Sequence, residues 1–263
     1  MSEQTYALSA DAAEFYEATF VPALFRQWAD RLARSVPVQP GDSILDVACG
    51  TGVVTRLLAD RVGPDSRVVG LDLNDAMLAV ARRIRPELHW QQGDACALPF
   101  PDGSFDVVVS QAALMFFSDR VAALREMGRV ADAGGRIAVQ VPGRLARSPG
   151  YLALTHVVAD HAGPDAVDLL GAYFAVGEPD QLTTLFESAD LRIDRFDTWT
   201  GATELDSIDT LLAVELLPIA DQIDDAVRAR ITRDARTAMA PFVDHAGAVS
   251  APIEVHLITA HRT

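Results

Sequence analysis

Short apolar runs alternate with helix-like segments through the first half of the chain. The runs are rich in Val, Leu and Ile and are bounded by Gly, Pro, Asp or Ser, a pattern typical of buried strands. Strands are predicted at 43–48, at 67–72, up to 94, at 105–110 and at 136–141. Helices are predicted at 53–61 and after the caps Asn74 and Asp119, and Gly134-Gly135 should separate the last helix from the fifth strand. Strands joined by such helices predict right-handed βαβ units and a mostly parallel sheet.

The alternation changes after Pro142. An irregular helical insertion, a helix, a strand and two more helices are predicted at 143–178, from Pro179, at 191–199, at 206–217 and at 221–239. The last strand has a period of two, with Val255 and Leu257 on its apolar face. On that period His256 belongs to the opposite face, and we expect it at the surface.

Aromatic residues recur at helical spacing near the start of the chain. They are Phe15, Tyr16, Phe20, Phe25 and Trp28. Proline is favoured in the first turn of a helix, so Pro22 is expected to begin a second helix. We interpret residues 1–37 as an N-terminal helical segment in which most of these rings serve packing.

Composition favours one large soluble domain. The chain has 263 residues, 49% of them hydrophobic and 22% charged, which is enough apolar material for a sizeable core. Two cysteines, Cys49 and Cys96, are too few for a disulfide scaffold or a zinc site, and no metal is expected. The chain begins without a signal-peptide pattern and has no apolar run near the roughly 20 residues that span a bilayer. We therefore expect a cytoplasmic monomer or homodimer.

The charge of the chain narrows its chemistry. There are 22 basic residues against 37 acidic ones, which gives a formal net charge of −15. All 22 basic residues are Arg, and the chain contains no Lys. Phosphate backbones attract clustered positive charge, so no nucleic-acid partner is expected. The absence of Lys excludes Schiff-base lysines and the Walker-type lysine.

A glycine-rich turn joins the first predicted strand to the helix at 53–61. Glycines let a ligand approach the backbone, and the helix N-terminus offers free N–H groups. A dinucleotide fingerprint requires Gly-x-Gly-x-x-Gly, and here Thr55 stands where the third glycine would be. Asp46, at the start of the turn, would repel a pyrophosphate and suits a ligand that carries a positive charge or an amine.

Two more acids follow at the ends of the next strands. Asp72 lies about 20 residues after the glycines, where a ribose diol is held in related folds. Asp94, with the Ala95 N–H beside it, is placed to meet an adenine edge. Each acid alone is also explained as a turn cap, whereas the three together indicate a nucleoside site without a phosphate clamp.

These segments together resemble the class I S-adenosylmethionine-dependent methyltransferases, and within them the ubiquinone/menaquinone-biosynthesis C-methyltransferase branch. The matching stretches are 45–52, 69–74 with Met77 and Leu78, 93–95 with 98–100, 104–108, 125–130 and 134–135. They cover 43–141 in the family's order. The chain departs from the family at two places. Relatives usually carry a Lys-Pro-Gly-Gly-like turn where this chain has Asp-Ala-Gly-Gly at 132–135, and the Val-Pro-Gly at 141–143 does not match the groups that relatives supply after the fifth strand.

The resemblance implies an α/β, Rossmann-like sheet of seven strands whose last strand is antiparallel. It implies one methyltransferase domain over 1–263, with a helical lid at 1–37, a cofactor-binding core at 43–141 and helical caps at 143–178 and 206–248. S-adenosylmethionine would bind, with S-adenosylhomocysteine as product, at Tyr16, Asp46, Ala48, Gly50, Thr51, Gly52, Asp72, Leu73, Met77, Gly93, Asp94, Ala95 and Gln111.

Individual roles also follow from the resemblance. Asp46 and the turn would surround the methionine portion and Asp72 the ribose, while Leu73 and Met77 would enclose the adenine. Gln111 would lie near the sulfonium, and Tyr16 resembles a lid tyrosine that closes over the cofactor.

The methyl acceptor is expected to be a small apolar or aromatic molecule, methylated on carbon or oxygen rather than nitrogen. Apolar residues of the predicted caps support this, namely Phe174, Trp199, Leu211, Leu212, Leu216 and Leu217. His245 is the candidate base, although a sulfonium methyl is already activated and alignment alone supplies about 7–11 kcal/mol. Two alternatives remain open: a methyltransferase-fold protein that catalyses a different reaction, and a cofactor-dependent sensor.

Overall fold

The computed structural model describes residues 9–263, without the side chains of Pro218 and Asp221. The first eight residues of the predicted lid segment lie outside the described residues. The chain divides into two compact units. Among the described residues, unit 1 comprises those from 9 to 141 with Asp180–Asp197 and Leu257–Thr263, and unit 2 comprises Pro142–Pro179 and Thr198–His256.

Helices and strands alternate through the first half of the chain, as the hydrophobic pattern predicts. They are α1 (Ala10–Phe15), a π-helical stretch (Tyr16–Phe25), α2 (Arg26–Ser35), β1 (Ser43–Val47), α3 (Val53–Val62), β2 (Arg67–Asp72), α4 (Asp75–Ile84), β3 (His89–Gln92), β4 (Phe105–Gln111), α5 (Arg120–Val130) and β5 (Ala131–Pro142). Short 3₁₀ turns follow at Leu114–Phe116 and Leu145–Arg147. Both expected caps form, since Asn74 Oδ1 accepts from Ala76 N–H at 2.9 Å and Asp119 Oδ1 from Ala122 N–H at 2.9 Å.

The second half is mainly helical and ends in a long strand. Its elements are α6 (Pro149–Ala162), α7 (Pro164–Gly171), α8 (Pro179–Ser188), β6 (Leu191–Leu205), α9 (Ile208–Glu215), α10 (Asp225–Ala238) and β7 (Val249–Arg262). Short 3₁₀ turns lie at Ala172–Phe174, Leu217–Gln222 and Ala240–Phe242. The sixth strand therefore runs well past the predicted end at residue 199.

The strands of residues 9–263 form one seven-stranded sheet in the order β3-β2-β1-β4-β5-β7-β6. The strands from β3 to β5 pair in parallel, and the last strand of the chain is antiparallel, as expected. The chain order reverses between β1 and β4, and ligands of open α/β sheets bind at such a switch point, beyond the carboxyl ends of the strands. Central strands are buried on both faces, which explains the continuous apolar runs around Leu45 and Val108.

The prediction that Pro22 begins a second helix is wrong. The helical path runs from Ala10 to Ser35, and Pro22 lies inside its π-helical part. There the Arg26 N–H donates to the Val21 carbonyl, five residues earlier. A proline ring interrupts an α-helix because it clashes with the carbonyl four residues back, and the wider π-helical turn relieves that clash.

The predicted break at Gly134-Gly135 is also wrong. The strand β5 begins at Ala131, directly after α5, and both glycines lie within it. Its pairing with β4 shifts between Phe105↔Ala131 and Val107↔Arg136, so extra residues of β5 bulge from the ladder. The φ of 115° at Gly134 favours glycine and permits the bulge.

Unit 2 is built mainly from helices around its own apolar core. Buried residues of α6, α9 and α10, among them Val158, Leu212 and Ile231, pack in one cluster. Leu212 and Leu216 belong to this cluster, so two of the six residues on which the prediction of an apolar acceptor rests serve the core of the unit.

The expected surface position of His256 is contradicted. Its side chain is 0% exposed, because β7 lies inside the sheet between β5 and β6. One ring nitrogen lies 2.9 Å from Thr198 Oγ1 and the other 2.9 Å from the Gly177 carbonyl oxygen. Burial lowers the pKa of His256, so the neutral ring is the form that the fold favours.

Candidate functional site

The glycine-rich turn after β1 is held open in an unusual backbone conformation. Ala48, Gly50 and Gly52 have φ values of 57°, 57° and 86°. A positive φ is rare for alanine, and such strain clusters at functional sites. The turn is fixed to the neighbouring strand by the Cys49 N–H, which donates to the Leu71 carbonyl at 2.9 Å.

Asp46 lies beneath this turn, inside the sheet. Its residue is 1% exposed, and its Oδ2 accepts from the Thr55 hydroxyl at 2.6 Å. Burial raises the pKa of Asp46 to about 7, and the negative charge of Asp72 adds to the rise. A buried carboxylate of this kind favours a cationic partner, because a positive charge stabilises its ionised form.

Asp72, at the end of β2, joins the turn to the start of α4. Its Oδ2 accepts from the Gly50 N–H at 2.7 Å and its Oδ1 from the Asn74 N–H at 2.8 Å. Burial raises the pKa of Asp72, against the lowering effect of these N–H groups. A carboxylate oxygen has two lone pairs, so each oxygen keeps one for the hydroxyls of a diol.

The glycines of this region have different roles. A Cβ on Gly50 would meet only the Tyr16 ring, at 3.9 Å, so its backbone is open to close approach. A Cβ on Gly52 would overlap the Trp90 ring, 2.7 Å from Cζ3. Gly93 is likewise packed, since its Cβ would lie 2.9 Å from Leu71. Gly50 is therefore the glycine that leaves room for a ligand.

Tyr16 from the N-terminal helix borders the turn. Its ring stacks on Phe20 and Phe25, with centroids 5.6 and 5.3 Å apart. Burial raises the pKa of the Tyr16 hydroxyl, and the nearby carboxylate of Asp72 raises it further. The hydroxyl therefore stays protonated and is a hydrogen-bond donor near three acids, Asp72, Glu17 and Asp46.

The residues expected at the adenine end lie along the same edge of the sheet. Leu73 is 48% exposed, which is unusual for a large apolar side chain, while Met77 is buried against Ala13 and Val80. Asp94 is exposed and its Oδ1 accepts from the Cys96 N–H at 2.8 Å, so it also caps its own turn. Ala95 beside it is buried.

Several buried polar atoms near the carboxyl ends of β1, β4 and β5 have no hydrogen-bond partner within the described residues. They are Thr51 Oγ1, Ser110 Oγ, Gln111 Oε1 and both amide atoms of Gln140. Gln111 Nε2 donates to the Phe25 carbonyl at 3.2 Å. Sequence reasoning missed Gln140, because a glutamine that ends an apolar strand carries no signal of burial.

The candidate base His245 is exposed, in the turn before β7. A different titratable pair lies inside unit 2, in a narrow cleft lined by Gly150, Leu154, Leu211, Met239 and Ala251. There burial raises the pKa of Glu215 to about 7. Its neighbour Tyr151 has a hydroxyl 2.5 Å from Thr203 Oγ1.

Arg129, in one of the matching stretches, is explained by the loop that follows β3. Its guanidinium donates to the carbonyls of Leu98 and Phe100 at 3.0 and 2.8 Å and pairs with Asp102 and Glu126, both at 2.7 Å. These bonds fix the 98–102 loop to α5. Residues 9–263 contain no group of three His, Cys, Asp or Glu residues that could hold a metal ion, and no helix among them is long and apolar enough to cross a membrane.

Comparison with known proteins identifies the core. Residues 45–139 match the family model described as a methyltransferase domain. The chain is 42% identical over 119 residues to the 2-phytyl-1,4-naphtoquinone methyltransferase of Thermosynechococcus vestitus, covering 44% of this chain and 53% of that protein. It is 42% identical over 120 residues to a ubiquinone/menaquinone biosynthesis C-methyltransferase of Stenotrophomonas maltophilia, covering 43% and 47%. The chain spans about half the length of the curated relatives it matches.

The fold is similar to that of the YcgJ protein of Bacillus subtilis. The TM-score is 0.62 at 18% identity, covering 90% of this chain and 99% of that one. The seven-stranded sheet has the order and the antiparallel last strand of the class I methyltransferase fold, and residues 45–139 within it match a methyltransferase domain. Within that class, the chain is similar to the ubiquinone/menaquinone C-methyltransferase branch, which confirms the resemblance found from the sequence.

Proposed function

We propose that the protein transfers a methyl group from S-adenosylmethionine to a ring carbon of a small quinol-type molecule. The observation that supports cofactor binding is the acid-lined turn: Asp46 and Asp72 lie at the carboxyl ends of neighbouring strands, and Asp72 accepts from the Gly50 N–H. No phosphate-binding fingerprint accompanies these acids, and a nucleoside sulfonium carries no phosphate.

The residues of the turn fit such a ligand. Thr51 Oγ1 is buried without a partner among residues 9–263, so a ligand carboxylate or amine at the turn would satisfy it. The backbone of Gly50 is open, and Leu73 exposes an apolar surface suited to an adenine face. When bound, S-adenosylmethionine supplies an activated methyl group on a positively charged sulfur.

This chain's own residues then have separate tasks. Ionised Asp46 balances the positive charge of the ligand, and the two free lone pairs of Asp72 accept from the ribose hydroxyls. Tyr16 covers the turn with a ring held by Phe20 and Phe25 and keeps water from it. Transfer to a ring carbon forms one C–C bond, breaks one C–S bond and releases the ring proton, leaving S-adenosylhomocysteine.

The acceptor class rests on the relatives. The names of both curated relatives describe methylation of naphthoquinone- or ubiquinone-type molecules. A quinol ring is electron-rich and apolar, which agrees with the acceptor expected from the composition of the caps. Carbon methylation of such a ring needs no metal and no strong base, because the hydroxyl groups activate the ring.

The test is methyl transfer to a reduced naphthoquinol. Purified protein is incubated anaerobically with methyl-labelled S-adenosylmethionine and 1,4-dihydroxynaphthalene, and the organic extract is analysed by mass spectrometry. We expect one added methyl group on a ring carbon and one S-adenosylhomocysteine per product.

Binding of S-adenosylmethionine is measured in parallel by calorimetry. Binding without transfer to any quinol would refute the acceptor class and leave the cofactor site standing. Product formation without S-adenosylhomocysteine would instead support a non-methylating enzyme, and absence of binding would refute the whole proposal.

A further inference from the structure

Two glutamines stand side by side at the carboxyl ends of β4 and β5. The strands are parallel and in register at Gln111↔Gln140, with Val109↔Ala138 two residues earlier. Paired residues of neighbouring strands share a face of the sheet, and so do residues two apart on one strand. Because Asp46 pairs with Val109, it lies on the same face as both glutamines.

The side chain of Gln140 is buried and unsatisfied. Its residue is 0% exposed, and neither Oε1 nor Nε2 has a hydrogen-bond partner in the part of the chain that the structure describes. Gln111 uses its Nε2 on the Phe25 carbonyl and leaves Oε1 buried without a partner. A buried amide without hydrogen-bond partners lowers the stability of the fold. Its presence therefore indicates a role in binding or catalysis.

The backbone beside these amides is strained as well. Ala112, directly after β4, has a φ of 54°, and its N–H donates to the Gln140 carbonyl oxygen at 2.7 Å. Strained non-glycine residues therefore follow both central strands, Ala48 after β1 and Ala112 after β4. Such strain is typical of binding sites.

The position of the pair separates it from the two acids that are proposed to bind the cofactor. The acids Asp46 and Asp72 belong to β1 and β2, whereas the glutamines belong to β4 and β5, on the other side of the switch point. Two strand spacings, about 10 Å, separate β1 from β5. That distance suits two molecules bound next to each other along one edge of the sheet.

We propose that the amides of Gln111 and Gln140 form the acceptor subsite and bind a ring hydroxyl of the molecule to be methylated; this rests on the proposed function. The pair offers two oxygen acceptors and one N–H₂ donor. A hydroxyl donates to an amide oxygen and accepts from the amide nitrogen, so it matches the pair. Neutral amides fit an uncharged quinol better than a carboxylate, which would require an arginine.

The test compares ligands that differ only in the hydroxyl hydrogen. Binding of 1,4-dihydroxynaphthalene and of its dimethyl ether is measured by calorimetry on protein saturated with S-adenosylhomocysteine. We expect the wild-type protein to prefer the quinol by at least about tenfold, as sites built to hydrogen-bond a hydroxyl do. Gln140→Met, which keeps the length of the side chain without its polar atoms, should lose most of this preference, with only Gln111 Oε1 left to accept from the hydroxyl.

The melting temperature and the cofactor affinity of the variant show whether Gln140 binds the acceptor or only supports the fold. Gln140→Met should melt at or above the wild-type temperature, because it removes two unsatisfied buried atoms, and should keep its affinity for S-adenosylhomocysteine. Ser110→Ala is the matched control, because it also removes a buried atom without a partner. Ser110 precedes Gln111 in β4, so its side chain lies on the opposite face of the sheet. This variant should keep the preference for the quinol.

A second variant covers the case in which Gln140→Met does not fold. Gln140→Glu keeps a donor and an acceptor while its carboxyl is protonated, so quinol binding should persist at low pH and weaken as pH rises. An unchanged preference in Gln140→Met, or equal binding of both ligands by the wild-type protein, would overturn the subsite. A parallel fall in melting temperature and cofactor affinity would show that Gln140 is structural. Methyl transfer by the wild-type protein is measured separately. Transfer without a preference for the quinol would overturn the subsite alone, whereas absence of transfer would count against the proposed function.

Discussion

The carboxylate of Asp72 accepts a 2.7 Å hydrogen bond from the backbone N–H of Gly50, and so the end of one strand fixes the turn that follows its neighbour. Its other oxygen accepts from Asn74 N–H, which begins α4. The acid is therefore oriented before any ligand arrives. Preorganisation of this kind lowers the entropy cost of binding.

We expect Asp72→Asn to weaken S-adenosylmethionine binding by at least about tenfold, since a hydrogen bond to a charged group contributes about 1.5–3 kcal/mol. Both oxygens of Asp72 accept from backbone N–H groups, so one of them cannot be replaced by an amide nitrogen without a clash of donors. Calorimetric titration measures the effect. Asp75→Asn is the control, because Asp75 is a neighbouring acid that pairs with Arg82 at the surface. Equal affinities in the two variants would contradict the ribose role of Asp72.

Binding of S-adenosylmethionine should depend on pH through Asp46. In the free protein this carboxyl has a pKa of about 7, raised by burial, and a cationic ligand requires its ionised form. Affinity should therefore fall below pH 7, approaching a tenfold loss per pH unit, and binding near pH 7 should release a fraction of a proton. Calorimetry in buffers of different ionisation enthalpy counts that proton. Asp46→Asn should remove the release, and a release that persists in this variant would assign it to another group.

Glu215 should make folding stability depend on pH in the opposite sense to an ordinary salt-bridged acid. Burial raises its pKa from 4.5 to about 7, so the folded state holds a proton that the unfolded chain has lost. Stability should consequently fall as pH rises from about 4.5 to 7, by roughly 1–3 kcal/mol. Glu215→Gln should remove the fall and be the more stable protein above pH 7.

Denaturant unfolding near pH 5 and near pH 8 tests this difference. Glu204→Gln is the control, since Glu204 is an exposed acid of the same unit. A stability gain for Glu215→Gln that is the same at both values would exclude the buried carboxyl as its cause.

Local sequence signals predicted most of unit 1 correctly, because each depends on a few neighbouring residues. Asn74 and Asp119 cap their helices as expected, and the apolar runs mark the strands closely. The positions of Asp46 and Asp72 beside one turn follow from strand order alone, since carboxyl ends of parallel strands meet at one edge.

The positions of His256, Gln140 and Gly52 were predicted wrongly or missed because long-range packing decides them. His256 is buried because β7 lies inside the sheet, and a period of two cannot distinguish an interior strand from an edge strand. The pairing of Gln140 with Gln111 depends on the register between β4 and β5, which the sequence alone does not give. The role of Gly52 was equally hidden, because Trp90 is 38 positions away in sequence.

Gly52→Ala should therefore destabilise the fold through Trp90 and not through its backbone alone. Alanine at a φ of 86° costs about 1–2 kcal/mol, and its Cβ would also overlap the indole ring. Overpacking of this kind adds about 1–3 kcal/mol. Gly41→Ala is the matched control, with a φ of 97° and no atom within 4 Å of its Cβ, and should lose only the backbone contribution.

A double-mutant cycle with Trp90→Leu isolates the contact. In that background the smaller side chain vacates the space beside residue 52, so Gly52→Ala should cost no more than Gly41→Ala. Urea unfolding of the four proteins of the cycle, together with the control, gives the coupling free energy. A coupling near zero would mean that the indole shifts freely when a methyl group is added, and Gly52 would then return to the role expected from its sequence, a glycine kept for close approach of the ligand.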